Sequence, residues 1–140
     1  MLESLDCTHW QWKNCPVAQH GTYRGHKGHP TIILEAVASY DTWIWHAYFG
    51  MSGAANDLNV LYRSDLFNDI LEGRAPNVNF SVNGRQYNRG YYLTDGIYPK
   101  WATLIQAFSA PQNSKQQSFT RAHEAYCKDV ERAFSILQAK

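Results

Sequence analysis

The sequence predicts a mixed α/β domain, and three observations carry that prediction. Short β-branched and aromatic runs fill the first third of the chain, an Asn-Gly pair sits between alternating runs near the middle, and a long amphipathic pattern closes it.

Taken in order, Leu2 to Trp10 reads as a first strand. The segment WKNCPVAQHGTYRGHKGHP, dense in glycine, proline and polar residues, reads as a long loop ending at Pro30. TIILEAVAS is an apolar, β-branched run, SYDTW is turn-like, and WIWHAYFG is aromatic and strand-like, so the two runs suggest an antiparallel hairpin. Asn56 and Asp57 are cap residues, and Leu58, Leu61, Leu66, Phe67, Ile70 and Leu71 follow at helical spacings up to Gly73, with a break near Ser64. In VNFSVNGRQYN, Asn83-Gly84 supplies the positive φ angles of a tight hairpin turn. YYLT forms a strand ending at Asp95, and WATLIQAF is open between strand and short helix. SAPQNSKQQS reads as a polar linker, and the last helix places Phe119, Ala122, Tyr126, Val130, Phe134 and Leu137 on one stripe. No internal repeat and no low-complexity segment interrupts this order.

The size suits one domain with a real core: 140 residues, 44% hydrophobic and 18% charged, with nine Tyr, six Phe and five Trp. A formal net charge of +1 provides no global field toward nucleic acid or anionic membrane, although a local basic surface remains compatible with it. Three sparse cysteines, Cys7, Cys15 and Cys127, and an N-terminus MLESLD that does not read as a signal peptide point to a reduced, intracellular protein. No apolar run approaches the roughly 18 residues of a membrane span, so a soluble chain is expected.

Carboxylates hold the chemical interest. Asp6 in SLDCTHW and Asp95 in YLTDGIYP each follow apolar residues, on or at the end of core strands, where a carboxylate is costly unless it is paired, hydrogen-bonded or cation-bound. If the first strand lies beside the strand of Tyr91 to Asp95, the two acids meet. An Asp-Gly pair is also ordinary turn chemistry. Glu131 in KDVERAF and Glu124 seven residues earlier lie on nearly the same helical face, and spacing alone does not choose between them; a solvated helix face explains either. Glu35 in TIILEAVAS is a further strand acid and a competitor. Asp57 is read as a helix N-terminal residue outside the acidic set. Cys7, His9, Cys15 and His20 raise zinc, but Cys7-x-His9 lacks the usual ligand gap, and strand alternation places both opposite to Asp6. His123 and Cys127 lie one helical turn apart and read as a surface histidine and a buried cysteine. Lys13, Arg24, His26, Lys27 and His29 form a basic loop suited to DNA phosphates or simply to water.

Six segments, LDCTHWQWKNCP, PTIILEAVASYDTWIWHAYFG, NDLNVL, GRAPNVNFSVNG, YYLTDGIYP and KDVERAFSILQ, resemble the plant PIF/Harbinger transposase family and its transposon-derived nuclease relatives, in order and nearly end to end. The resemblance implies an α/β fold: a ribonuclease-H-like mixed sheet flanked by helices, the core of an Asp-Asp-Glu transposase. It also implies a catalytic, metal-binding triad of Asp6, Asp95 and Glu131. Two divalent ions, Mg²⁺ or Mn²⁺, suit such a set, because a pair of hard cations activates the attacking oxygen and stabilises both attacking and leaving oxygens. Asp6 is expected to bridge the ions, with Asp95 and Glu131 each holding one. The implied activity is phosphodiester hydrolysis and strand transfer on DNA in the nucleus, together with a Myb-like accessory protein and a second copy of the chain.

Residues 1–140 are then one nuclease domain that lacks the family's N-terminal DNA-binding region and its C-terminal extension. Glu3 and Ser135 stand where the family has Gly. Impaired activity and loss of element-end recognition are the corresponding expectations. The alternative reading is a domesticated, catalytically inactive interaction protein that keeps the fold.

Overall fold

The computed structural model describes residues 3–74 and 77–140. Leu2, with which the reading begins the first strand, and the side chain of Ile70 lie outside the described residues. In chain order the strands are β1 (Ser4–Gln11), β2 (Thr31–Ala38), β3 (Ile44–Ser52), β4 (Phe80–Val82), β5 (Arg85–Tyr87), β6 (Tyr92–Leu93) and β7 (Leu104–Ile105). The α-helices are α1 (His20–Tyr23), α2 (Asp57–Arg63), α3 (Asn68–Leu71) and α4 (Ser114–Gln138).

Five strands form one mixed sheet in the order β3-β2-β1-β6-β7. The pairs β1–β2 and β2–β3 are antiparallel, whereas β1–β6 and β6–β7 are parallel. β2 lies inside the sheet and is covered on both faces: Ile33, Leu34, Ala36, Val37 and Ala38 are all buried. Double coverage explains why TIILEAVA is apolar on both faces apart from Thr31 and Glu35, with no regular polar alternation. One face packs Leu5 and Val37 against Leu61 of α2, Phe67, Tyr98 and Leu104. The other packs Leu34, Ala36 and Ala38 against Val130, Ala133 and Phe134 of α4, with Trp10 and Ile44 at the margin.

Three side-chain bonds lay α4 across the sheet. His123 Nε2 donates to the Ile105 carbonyl on β7 at 2.8 Å, Ser4 Oγ on β1 donates to the Tyr126 carbonyl at 2.9 Å, and Arg132 Nη2 donates to the Tyr40 carbonyl beyond β2 at 2.9 Å. Because the helix crosses the strands obliquely, its buried residues are His123, Val130, Ala133 and Phe134. The expected stripe is corrected accordingly: Phe119, Tyr126 and Leu137 are exposed. His123, read as a surface residue, is buried at 4% exposure, and Cys127 is only half-buried.

Local signals place the remaining elements. Asn83 (φ 50°) and Gly84 (φ 78°) make the turn between β4 and β5, which form a separate two-stranded sheet. The expected helix from Asn56 does break at Ser64, where a 3₁₀ turn, Asp65–Phe67, separates α2 from α3. The long loop before β2 is more ordered than expected, holding a 3₁₀ turn at Val17–Gln19 followed by α1. The supposed linker SAPQNSKQQS already contains the start of α4: Asn113 caps it, its side chain accepting from Gln116 N at 2.9 Å. WATLIQAF resolves as the short strand β7. Among the described residues no helix is long and apolar enough to cross a membrane.

Candidate metal centre

Parallel pairing of β1 with β6 sets the first half of the site. Ser4 is opposite Leu93, so two residues further along both strands Asp6 stands beside Asp95. The sheet pairing ends at Leu93, and the chain turns away at Asp95, whose Oδ1 accepts from Ile97 N at 3.0 Å. Asp6 Oδ1 accepts from Cys7 N at 2.8 Å.

The DGIYP turn is anchored from below. Tyr98 is 2% exposed, and its hydroxyl is hydrogen-bonded to Cys7 Sγ at 3.3 Å. Gln106 Nε2 donates to the Pro99 carbonyl at 3.1 Å and to that of Tyr98. Burial pushes both the Cys7 thiol and the Tyr98 phenol well above their ordinary values, so both are neutral anchoring groups rather than nucleophiles.

The helix α2 brings a third acid. Asn56 caps it with a reciprocal pair of bonds, its Oδ1 accepting from Asn59 N at 2.8 Å while Asn59 Oδ1 accepts from Asn56 N at 3.3 Å. That cap fixes Asp57 at the first helical position. Carboxylate oxygens of Asp6, Asp57 and Asp95 lie within 4.8 Å of one another. Asp57, read from the sequence as a plain helix-start residue, therefore belongs to the acidic group. An acid just after a capping Asn already has a sufficient local explanation in the helix dipole, and no spacing rule tied it to Asp6.

Electrostatics at the group are unfavourable without a cation. Asp6 is pushed up to about 7, by burial first, with the charges of Asp95, Asp57 and Glu131 adding and the Cys7 amide opposing. Asp57 is also raised, by burial and then by Asp95 and Glu35, with His26 opposing. Among the described residues, no ion pair involves Asp6, Asp57 or Asp95. Three oxygen donors from three elements, with no ion-pair partner among the described residues, fit a hard divalent cation.

Glu131 stands apart from these three. It is exposed on α4 and outside the group, although its charge reaches Asp6 while that of Glu124 is not among the charges that do. Cys127, on the same helix, is pushed up to about 12 by burial and by the surrounding acids, Asp6 and Asp95 foremost.

The competing residues are otherwise engaged. Glu35 is fully buried on the opposite face of the sheet from Asp6, and its Oε1 accepts from His46 Nε2 at 3.2 Å, a nitrogen also 3.0 Å from Ser64 Oγ. Among the described residues the thiols and imidazoles gather into no zinc set. Cys7 is bonded to Tyr98, His9 Nδ1 to Thr31 Oγ1 at 2.9 Å, and His20 Nε2 donates to the Cys15 carbonyl at 2.8 Å.

A family model described as "Plant transposon protein" matches residues 1–140. No curated protein and no solved structure matches the chain.

Proposed function

Because the chain belongs to the plant transposon protein family, we propose that it is the metal-dependent catalytic core of a Harbinger-type transposase, a ribonuclease-H-like DNA endonuclease. The observation that carries this reading is the convergence of Asp6, Asp57 and Asp95 from a central strand, a helix start and a strand end. The sheet supports the fold reading: three antiparallel strands are continued by two parallel ones, with a long helix across one face.

On this reading Asp6, the most strongly perturbed of the three aspartates, would be a metal ligand, with Asp95 and Asp57 beside it. Glu131 supplies the remaining carboxylate from α4, the role its KDVERAF segment suggests. With Mg²⁺ or Mn²⁺ bound, such a set of carboxylates would supply activation of a water or 3′ hydroxyl and charge stabilisation on the attacking and leaving oxygens. The protein's own contribution is to hold the carboxylates in place. Cys7–Tyr98 fixes the Asp95 turn, the Asn56 cap fixes Asp57, and the Cys7 amide holds the Asp6 carboxylate. The partner is DNA and the compartment is the nucleus.

The test is nicking of supercoiled plasmid by the purified chain with Mn²⁺, compared with Asp6→Asn and Asp95→Asn. Nicking that needs the cation and disappears in both variants is expected. Cation-dependent nicking that survives in both contradicts the assignment.

A further inference from the structure

From Cys7 to Leu34 the chain has no acidic residue, yet it carries Lys13, Arg24 and Lys27 and four of the six histidines, His9, His20, His26 and His29. The densest part, Arg24–His29, is not a free loop. An isolated bridge pairs Arg24 with Pro30, and Gly28 N donates to the Gly25 carbonyl at 3.2 Å, closing a turn in which Gly28 has φ 76°. Gly25 lies flat on Gly53: a Cβ added at Gly25 would stand 2.2 Å from the Gly53 carbonyl oxygen. Gly53 is itself tied to β2, its amide donating to the Thr31 carbonyl at 2.8 Å, and three residues later Asn56 caps α2 and sets Asp57. One rigid path therefore joins the basic turn to the acidic group.

The turn also lies over β1. The rings of His26 and His9 meet edge to face at 5.2 Å, and His9 is anchored to Thr31. The charge of His26 reaches Asp57, yet among the described residues no ion pair takes up Arg24 or Lys27. Arg24, His26, Lys27 and His29 are all exposed. Exposed cations on a turn that is joined to the acidic group, and that no ion pair takes up, are available to a polyanion that lies across both.

We infer that the Arg24–His29 turn is the strand-holding edge of the site: Arg24, His26 and Lys27 grip backbone phosphates of the DNA whose phosphodiester lies over Asp6, Asp57 and Asp95. The inference rests on the nuclease reading for its substrate, and on the loop's own geometry for its placement. The contacts are to phosphates and carry no base readout, so they position DNA of any sequence.

The experiment is fluorescence anisotropy of a fluorescein-labelled duplex of arbitrary sequence, titrated with the full chain across a KCl series, with Ca²⁺ and separately with EDTA. The Arg24→Ala/Lys27→Ala variant is expected to bind roughly tenfold more weakly at low salt and to lower the slope of log affinity against log salt by about 2. Gly25→Ala is expected to weaken binding with every charge retained, because its Cβ displaces the turn from Gly53. Lys115→Ala/Arg121→Ala, which removes two exposed charges from α4, is expected to match the wild type. If Gly25→Ala does not fold by circular dichroism, the charge variant decides alone. An unchanged slope in Arg24→Ala/Lys27→Ala, or an equal loss in the α4 variant, overturns the inference. Plasmid nicking by a chain whose binding ignores the turn overturns only this inference, whereas turn-dependent binding without nicking supports it and overturns the nuclease reading.

Discussion

The hydroxyl of Tyr98 and the thiol of Cys7 are hydrogen-bonded at 3.3 Å, and through this contact the turn that carries Asp95 is fastened to the strand that carries Asp6. Neither group is suited to chemistry, since burial keeps both neutral. Their value is positional. Two residues otherwise 91 positions apart hold the two aspartates at one end of β6.

Tyr98→Phe isolates that contact, because it removes the hydroxyl and leaves the ring in the core beside Leu5 and Leu104. Loss of one buried hydrogen bond is expected to cost about 1 kcal/mol of stability in urea unfolding. Mn²⁺ affinity is expected to fall as well, since the Asp95 turn loses its anchor. An unchanged affinity with the expected stability loss separates the turn from the site and contradicts the positional role.

Asp6 makes the cation-free protein less stable as pH rises from the acid range to neutrality. Its folded-state value, about 7, lies above its ordinary 3.8, so between these pH values the fold retains a proton that the unfolded chain has released. Stability therefore falls as pH rises through that window, by on the order of 2–4 kcal/mol when the shift is fully expressed. Asp6→Asn removes this contribution, so the variant is expected to gain stability over the wild type above pH 7 and to match it near pH 4. Thermal melts of both proteins in EDTA across this range check the sign; an advantage of Asp6→Asn over the wild type that does not grow as pH rises contradicts it.

His123 should matter to the fold and Glu124, its neighbour, should not. The imidazole is buried and donates to the Ile105 carbonyl, joining α4 to β7, while Glu124 is exposed. His123→Ala is expected to cost about 2 kcal/mol, through the orphaned carbonyl and the space left behind, and Glu124→Ala to stay within about 0.5 kcal/mol of wild type. Equal effects in denaturant titrations would return the helix to the stripe read from sequence.

Elements were legible where local chemistry and tertiary context agree. The mostly apolar run of β2, the Asn83-Gly84 turn and the break at Ser64 each announce their structure. β6 and β7 are two residues each and exist through parallel pairing to a distant strand, which no local pattern encodes. In α4 the capping pattern Asn113-x-x-Gln116 was present but hidden in a polar stretch. Its stripe was misplaced because an oblique crossing buries only the residues at the contact. Asp6 and Asp95 were recognisable as strand acids, whereas Asp57 was masked by a cap that explained it fully.

The two α4 glutamates give a kinetic prediction. Glu131 is the one whose charge reaches Asp6, so Glu131→Gln is expected to reduce Mn²⁺-dependent nicking at least tenfold, and Glu124→Gln to leave it unchanged. The reverse ranking in plasmid assays shifts the functional carboxylate by two turns of the helix.

Whether Asp6, Asp57 and Asp95 together hold a divalent cation is decided by calorimetric titration of Mn²⁺ into the chain and its single Asp→Asn variants. Saturable binding by the wild type is expected, abolished by Asp6→Asn, and weakened at least tenfold by Asp57→Asn and by Asp95→Asn. Binding of equal strength in the wild type and in Asp6→Asn contradicts it.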